Sequence, residues 1–221
     1  MGRLSRIAAS LFAVGVLAGA TQARAGEGVY VSGHVGGSWF EDADNKGEAL
    51  SVKNSFSSGY VLTGALGYEF GNGFKAEGEI SYRMADIDSF KSANAGGTAV
   101  SLGSGIDGDG DVSVFGFMAN GAYEYELDGG FKPYAIAGFG LANVSINNAK
   151  VGGVLLADDD DTVFAYQFGA GIAYELNENV SVDLSYRYFA TSDPTFKDAA
   201  GDSFDSELST HNVMLGLTYK F

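Results

Sequence analysis

Eight segments alternate apolar and polar residues, three tight turns alternate with four long polar connections, and the last residue is an aromatic on the apolar parity. Together these predict an all-β chain, an eight-stranded antiparallel up-and-down transmembrane β-barrel. The ending carries the clearest pattern. Val213, Leu215, Leu217, Tyr219 and Phe221 fall on one parity, and Asn212, Met214, Gly216, Thr218 and Lys220 on the other. A period of two is a strand with one apolar face. Phe221 on that face suits a strand that lies against lipid and ends at the membrane interface, where aromatic rings settle.

The beginning of the chain agrees. Arg3 and Arg6 form a short positive region, Ile7–Ala20 is an apolar run of fourteen residues, and Ala23-Arg24-Ala25 is a small-x-small site. This is the layout of a cleavable secretory signal. Cleavage is expected after Ala25, giving a signal peptide over 1–25 and a barrel domain over 26–221. A spanning helix needs roughly 20 apolar residues. No later stretch approaches that length without a Gly cluster or a charge, so any membrane crossing is expected to use strands.

The strand-like segments run over Val29–Phe40, Gly59–Phe70, Phe74–Met84, Val112–Leu127, Phe131–Val144, Val163–Leu176, Val180–Phe189 and Thr210–Phe221. Gly71-Asn72-Gly73, Asp128-Gly129-Gly130 and Asn177-Glu178-Asn179 are turns built from residues that tolerate positive φ. The connections over 41–58, 85–111, 145–162 and 190–209 are long and polar, and are expected to face outside the cell. A weak repeat marks the turns: Tyr68-Glu69-Phe70 before Phe74-Lys75, Tyr125-Glu126-Leu127 before Phe131-Lys132, and Tyr174-Glu175-Leu176 before Val180-Ser181. Tyr68, Phe70 and Phe74 share a face, as do Tyr125, Leu127 and Phe131, which predicts a periplasmic aromatic girdle.

Charge obeys the same parity. Phe74, Ala76, Ile80 and Tyr82 oppose Lys75, Glu77, Glu79 and Arg83; Val180, Val182, Leu184, Tyr186 and Tyr188 oppose Asp183 and Arg187. Glu69, Glu124, Glu126, Lys132, Glu175 and Lys220 follow the rule in their own strands. A lipid-facing charge at mid-membrane costs roughly 2–4 kcal/mol, so these twelve are expected in the lumen. A water-soluble sandwich would show the same alternation with its sense inverted; the signal, the terminal Phe and the turn–loop alternation favour the barrel. An eight-stranded barrel is only wide enough for side chains. Seven carboxylates and five cations there must pair, because lone buried charges are expensive. The expectation is a polar plug without an open channel, with Glu77, Glu79, Arg83, Asp183 and Arg187 in one ion-pair network.

Composition narrows the function. Cys is absent and there are two His and two Pro, against 33 Gly and 12 Tyr. Removing Arg3, Arg6 and Arg24 with the signal takes the formal net charge from −15 to −18, a sign that excludes a nucleic-acid partner. The four long connections hold 18 acidic and 5 basic residues. They would repel free anions and meet lipopolysaccharide through bridging divalent cations. Asp107-Gly108-Asp109-Gly110-Asp111 begins like a calcium loop, but Val112 stands where the turn Gly belongs and Met118 at the twelfth position. Asp158–Asp161 is a run of solvated loop charge. Ser209-Thr210-His211 opens the last strand, with His211 on the lipid-facing parity, and offers a place for a Ser–His pair; His34 is the other His. No catalytic, metal or cofactor site is assigned.

Val29-Tyr30-Val31-Ser32-Gly33, Gly64-Ala65-Leu66-Gly67-Tyr68-Glu69, Glu77-Gly78-Glu79-Ile80-Ser81-Tyr82-Arg83, Lys132-Pro133-Tyr134-Ala135-Ile136-Ala137-Gly138-Phe139-Gly140 and the terminal strand give the mature chain a family likeness. It resembles the opacity-type outer-membrane β-barrel family of Gram-negative surface antigens, related in architecture to the OmpA-type and OmpX-type barrels. The resemblance implies an integral outer-membrane location and a structural, adhesive or immune-exposed surface role through the loops, with no enzyme. Its partners would be outer-membrane lipids and lipopolysaccharide, a host or surface ligand, and the barrel-assembly machinery. That machinery would read Val213, Leu215, Leu217, Tyr219 and Phe221 as an assembly signal. The larger relatives' C-terminal peptidoglycan-binding domain is expected to be absent. The alternatives are a narrow porin for ions or small solutes and an outer-membrane lipid-modifying enzyme.

Overall fold

The computed structural model describes residues 27–41, 43–47, 50–56, 58–95, 98–151, 154–197, 203–206 and 208–221, with side chains outside 42–57, 87–109, 148–158 and 196–207. The expected signal peptide lies outside the described residues. Eight strands make the barrel: β1 (Glu27–Phe40), β2 (Ser58–Phe70), β3 (Phe74–Ala95), β4 (Thr98–Glu124), β5 (Phe131–Val151), β6 (Val154–Glu175), β7 (Val180–Thr191) and β8 (Ser209–Lys220). Each pairs antiparallel with the next in sequence. β8 returns to β1, with Tyr30 opposite Lys220 and Phe40 opposite Thr210. Closure leaves no unpaired edge in the wall, which lipid demands because it offers backbone groups no partner.

The pleat sorts side chains as their parity predicts. In β8, Val213, Leu215, Leu217 and Tyr219 face out, while Thr210, Asn212 and Met214 are buried. Phe221, just past the strand, is 71 % exposed. An apolar residue so placed is costly in water and favourable in lipid. At the rim carrying the tight turns, Tyr68–Phe70, Phe74–Tyr123, Phe131–Tyr174 and Tyr219–Phe221 form ring pairs with centroids 4.8–5.1 Å apart, making a girdle. Gly71 and Gly73 (φ 72° and 85°) and Gly129 and Gly130 (85° and 82°) take the left-handed conformation that a side chain would strain. The third turn uses Asn177, whose Oδ1 accepts from the amides of Asn179 and Val180, both at 3.0 Å.

Three expectations need correction. First, the described parts of 85–111 and 145–162, expected as long polar connections between strands, are themselves largely paired strand. β3 and β4 stay paired out to Ala95 opposite Thr98, and β5 and β6 out to Val151 opposite Val154. These arms rise beyond the apolar band, so the alternation that marks a strand in lipid is missing from their sequence. The other two connections contain the short strands Ala43–Gly47, Leu50–Phe56, Thr195–Lys197 and Ser203–Ser206. Second, β4 ends at Glu124 rather than Leu127. Tyr125 N–H still donates to Pro133 O at 2.9 Å, but Pro133 has no N–H to return. Third, the lumen is not polar along its whole length. Toward the loop rim it is filled by Phe40, Ala85, Val112, Val114, Met118, Ala142, Val144, Ala165, Phe189 and Leu208.

Candidate functional site

The polar half of the lumen is built from inward positions of all eight strands. At its centre Arg187 Nη1 donates to Glu79 Oε2 at 2.5 Å, and both side chains are almost unexposed. Asn120 Nδ2 donates to Glu79 Oε2 at 3.2 Å and to Glu77 Oε1 at 2.9 Å. Gln167 Nε2 donates to Glu79 Oε1 at 3.1 Å and to Asn120 Oδ1 at 2.8 Å. Tyr30 O–H donates to Glu77 Oε2 at 2.9 Å. β1, β3, β4, β6 and β7 are thereby tied across the barrel.

A second group ties β5, β7, β1 and β2. Tyr134 O–H donates to Asp183 Oδ1 at 2.7 Å, and His34 Nε2 lies 3.3 Å from Asp183 Oδ2. A carboxylate only accepts, so Nε2 carries the proton, and Nδ1 meets Thr63 Oγ1 at 3.1 Å. Small residues make the room. A Cβ on Gly216 would sit 2.1 Å from Asp183 Oδ2 and 2.3 Å from the His34 ring; one on Gly67 would sit 2.2 Å from the Tyr30 ring.

The third group lines the turn rim. Lys75 Nζ donates to Glu124 Oε2 at 2.6 Å, Lys132 bonds Glu175 and lies 3.9 Å from Glu124, and Lys220 Nζ reaches past β1 to Glu69 Oε2 at 2.9 Å. The twelve lumen residues named from sequence thus fall into separate groups rather than one network. Glu126 is exposed beyond the end of β4, outside the lumen. Arg83 is fully buried without a carboxylate partner among the described residues: Nη1 donates to Ser81 Oγ at 2.7 Å and the guanidinium lies 3.9 Å from the centre of the Phe189 ring. It caps the polar half where the apolar half begins.

A fourth cluster sits at the loop rim on the β1–β8 seam. Glu41 N–H donates to Ser209 O at 3.0 Å. The Glu41 carboxylate accepts from Ser209 Oγ and lies 2.8 Å from His211 Nε2; His211 Nδ1 is 2.6 Å from Tyr186 Oη. The Ser209 hydrogen bond, and then His211, hold the Glu41 carboxyl below its usual range. Both His211 nitrogens are committed and neither reaches Ser209. This is a clasp across the seam, not a base beside a nucleophile. Among the described residues no three His, Asp or Glu side chains converge to hold a metal ion. Asp111 accepts from Asn147 at 2.9 Å; the side chains of Asp107 and Asp109 lie outside the described residues.

A closed barrel with an outward apolar band can be compared with known proteins. The family model for the outer membrane protein beta-barrel domain matches residues 7–221. The chain belongs to that family. It is an integral protein of the Gram-negative outer membrane. Outer membrane protein PagN of Salmonella typhimurium is 27% identical over 240 residues, covering 93% of this chain and 95% of PagN. The 25 kDa outer-membrane immunogenic protein of Brucella abortus is 29% identical over 91 residues, 40% of this chain and 38% of that protein. Two solved structures share the fold. Neisserial surface protein A has a TM-score of 0.52 at 18% identity, covering 89% of this chain and 99% of its own. OprG of Pseudomonas aeruginosa has 0.56 at 14%, covering 90% and 97%.

In this outer-membrane barrel the neutral lumen residues Tyr30, Asn120, Tyr134 and Gln167, and His34, carry no formal charge and so fall outside the charge-parity rule. The signal was present. Each lies on the inward parity of its strand, and a buried carboxylate has more lone pairs than one cation satisfies.

Proposed function

We propose that the protein acts by surface recognition. A rigid, plugged barrel would present its four loop regions to the outside of the cell, and the loops would meet host or envelope ligands. The observation that carries this is the filled lumen, with cross-barrel hydrogen bonds toward the turn rim and the apolar cluster toward the loop rim. The four long connections hold 18 acidic and 5 basic residues. Conserving a stiff scaffold while exposing long connections is how recognition surfaces are commonly built. Lipopolysaccharide, bridged by divalent cations to the acidic loops, would be the neighbour in the membrane plane. The terminal strand would serve the assembly machinery, and residues 1–25 would direct export.

Two measurements test this. Bacteria carrying the full chain should bind cultured host cells or matrix-coated surfaces more strongly than bacteria whose loops are shortened to tight turns. Loss of the loops without loss of binding removes the proposal. Planar bilayers containing the purified barrel should show no unitary conductance; discrete ion-selective steps would favour the narrow pore. The clasp of Ser209, Glu41 and His211 gives no support to lipid-modifying activity, and His211→Ala should leave lipid composition unchanged.

A further inference from the structure

The outer wall is not evenly covered with large side chains. Where β3 and β4 pair, four outward rungs follow one another from the turn rim: Phe74 opposite Tyr123, Ala76 opposite Gly121, Gly78 opposite Ala119, and Ile80 opposite Phe117. Two rungs of small residues thus lie between two rungs of large ones. Leu66 and Tyr68 of β2 border Gly78 and Ala76 on one side, and Phe139 of β5 borders Ala119 on the other. The result is a hollow of about 390 Å³ in the lipid-facing surface, with Leu66, Tyr68, Ala76, Gly78 and Ala119 in its lining. A methyl group added at Gly78 or Gly121 would meet nothing within 4 Å.

The opposite wall carries the reverse relief. Following the pairing round the barrel, β7 and β8 lie four strands from β3 and β4. There Leu184 stands opposite Leu215, and Val35 of β1 stands on the other side of Leu215. All three are exposed, Leu215 at 64 %. They form a ridge of branched side chains across three strands. Ridge and hollow are level. Leu215 lies four residues from Tyr219 of the girdle and Gly78 four residues from Phe74 of the same girdle, about 13 Å along each strand.

An acyl chain running along the wall is carried over the hollow by the large side chains at either end, and it leaves the floor without contacts. Branched side chains projecting from a neighbouring wall reach that floor. In lipid, association is driven by such packing rather than by release of water, and small residues let backbones approach closely. The membrane also fixes orientation, so neighbouring copies stand parallel with ridge and hollow at one depth.

We propose that copies of this chain pack side by side in the membrane, the Leu184–Leu215 ridge of one seated in the Gly78–Ala119 hollow of the next. The contact joins two different surfaces, so a copy that gives its ridge keeps its hollow free. Because the two surfaces lie on opposite sides, successive copies extend as a row instead of closing a pair. The row forms whether or not the loops bind a ligand, and it sets the loop regions of neighbouring copies side by side.

The chain has no Cys, so introduced thiols report single contacts. Full chains carrying Gly78→Cys or Leu215→Cys, each with its own epitope tag, are expressed together, and outer membranes are oxidised with copper phenanthroline. Dimers joining the two tags should exceed dimers of either variant expressed alone at least tenfold, and the Gly78→Cys/Leu215→Cys double variant should give a ladder of higher multimers. Dimers from a single variant at the level of the mixed pair overturn the proposal in favour of a two-fold contact. Absence of cross-links, with both variants inserted at the level of the unaltered chain, overturns it in favour of lipid filling the hollow. Energy transfer between copies labelled at the N-terminal amine in phospholipid vesicles gives a second reading. Gly78→Leu, which fills the hollow, should lower that transfer several-fold, and unchanged transfer overturns the proposal.

Discussion

At the scale of single residues, the lumen is governed by the cost of leaving a buried charge without its partner. Arg187 and Glu79 satisfy one another in a site that water does not reach. Arg187→Ala strands Glu79 and should lower stability by about 3–5 kcal/mol. The check is the urea midpoint of the barrel refolded in detergent; an unchanged midpoint removes the pair from the stability argument. Arg187→Met with Glu79→Gln should recover much of the loss, since neither charge then remains. Gly216 offers a test of space instead of charge. A methyl there meets Asp183 and His34 at 2.1 and 2.3 Å, whereas one on Gly78 meets nothing within 4 Å. Gly216→Ala should cost about 1–3 kcal/mol by overpacking, and Gly78→Ala should be close to neutral in the same melting experiment. Equal melting temperatures would contradict the packing described for the His34–Asp183 pair.

At the scale of elements, β8 is fixed at both ends. Lys220 reaches Glu69 at the turn rim, and the Glu41 clasp holds Ser209 and His211 at the loop rim. The clasp should be acid-sensitive. Glu41 has its pKa lowered on folding, so its contribution is present above the ordinary carboxylate value of 4.5 and is lost as pH falls through the depressed value. Amide exchange at Glu41, corrected for its intrinsic pH dependence, should accelerate in that acid range, and Glu41→Gln should flatten the response. The same strand bears on assembly. Tyr219 and Phe221 pack edge to face, centroids 5.1 Å apart, in the girdle. If the machinery reads this end, Phe221→Ala should lower outer-membrane yield in cells far more than refolding yield in detergent, with Phe221→Leu milder. Equal losses in both assays would reduce the effect to plain destabilisation.

At the scale of the whole molecule, the two rims differ in kind. One carries three tight turns and the aromatic girdle; the other carries the long arms and short strands. Outer-membrane barrels keep their periplasmic turns short. Protease added to intact cells should therefore cut near Asp44, Gly97, Asp159 or Asp202 and spare Asn72, Gly129 and Glu178. Cleavage at Asn72 on intact cells would reverse the orientation. The same asymmetry divides the lumen into a hydrogen-bonded half beneath an apolar half, with Arg83 against Phe189 at the boundary.

The sequence by itself determined the strands that cross the lipid, the faces they present and the positions of the turns. Lipid imposes a period-two rule that each strand obeys locally, and Gly and Asn mark the places where φ turns positive or a side chain caps a turn. Only the tertiary structure decided which inward residues meet. Glu79 and Arg187 lie 108 residues apart, and the stagger of strands around a closed barrel sets the height at which each side chain reaches the axis. That is why Arg83, on the same parity as Glu79, faces Phe189 rather than a carboxylate, and why Asn120 and Gln167 bridge positions that formal charge alone would have joined directly. It also decided the form of the long connections: the arms of β3 and β4, and of β5 and β6, emerge only from pairing between chain segments.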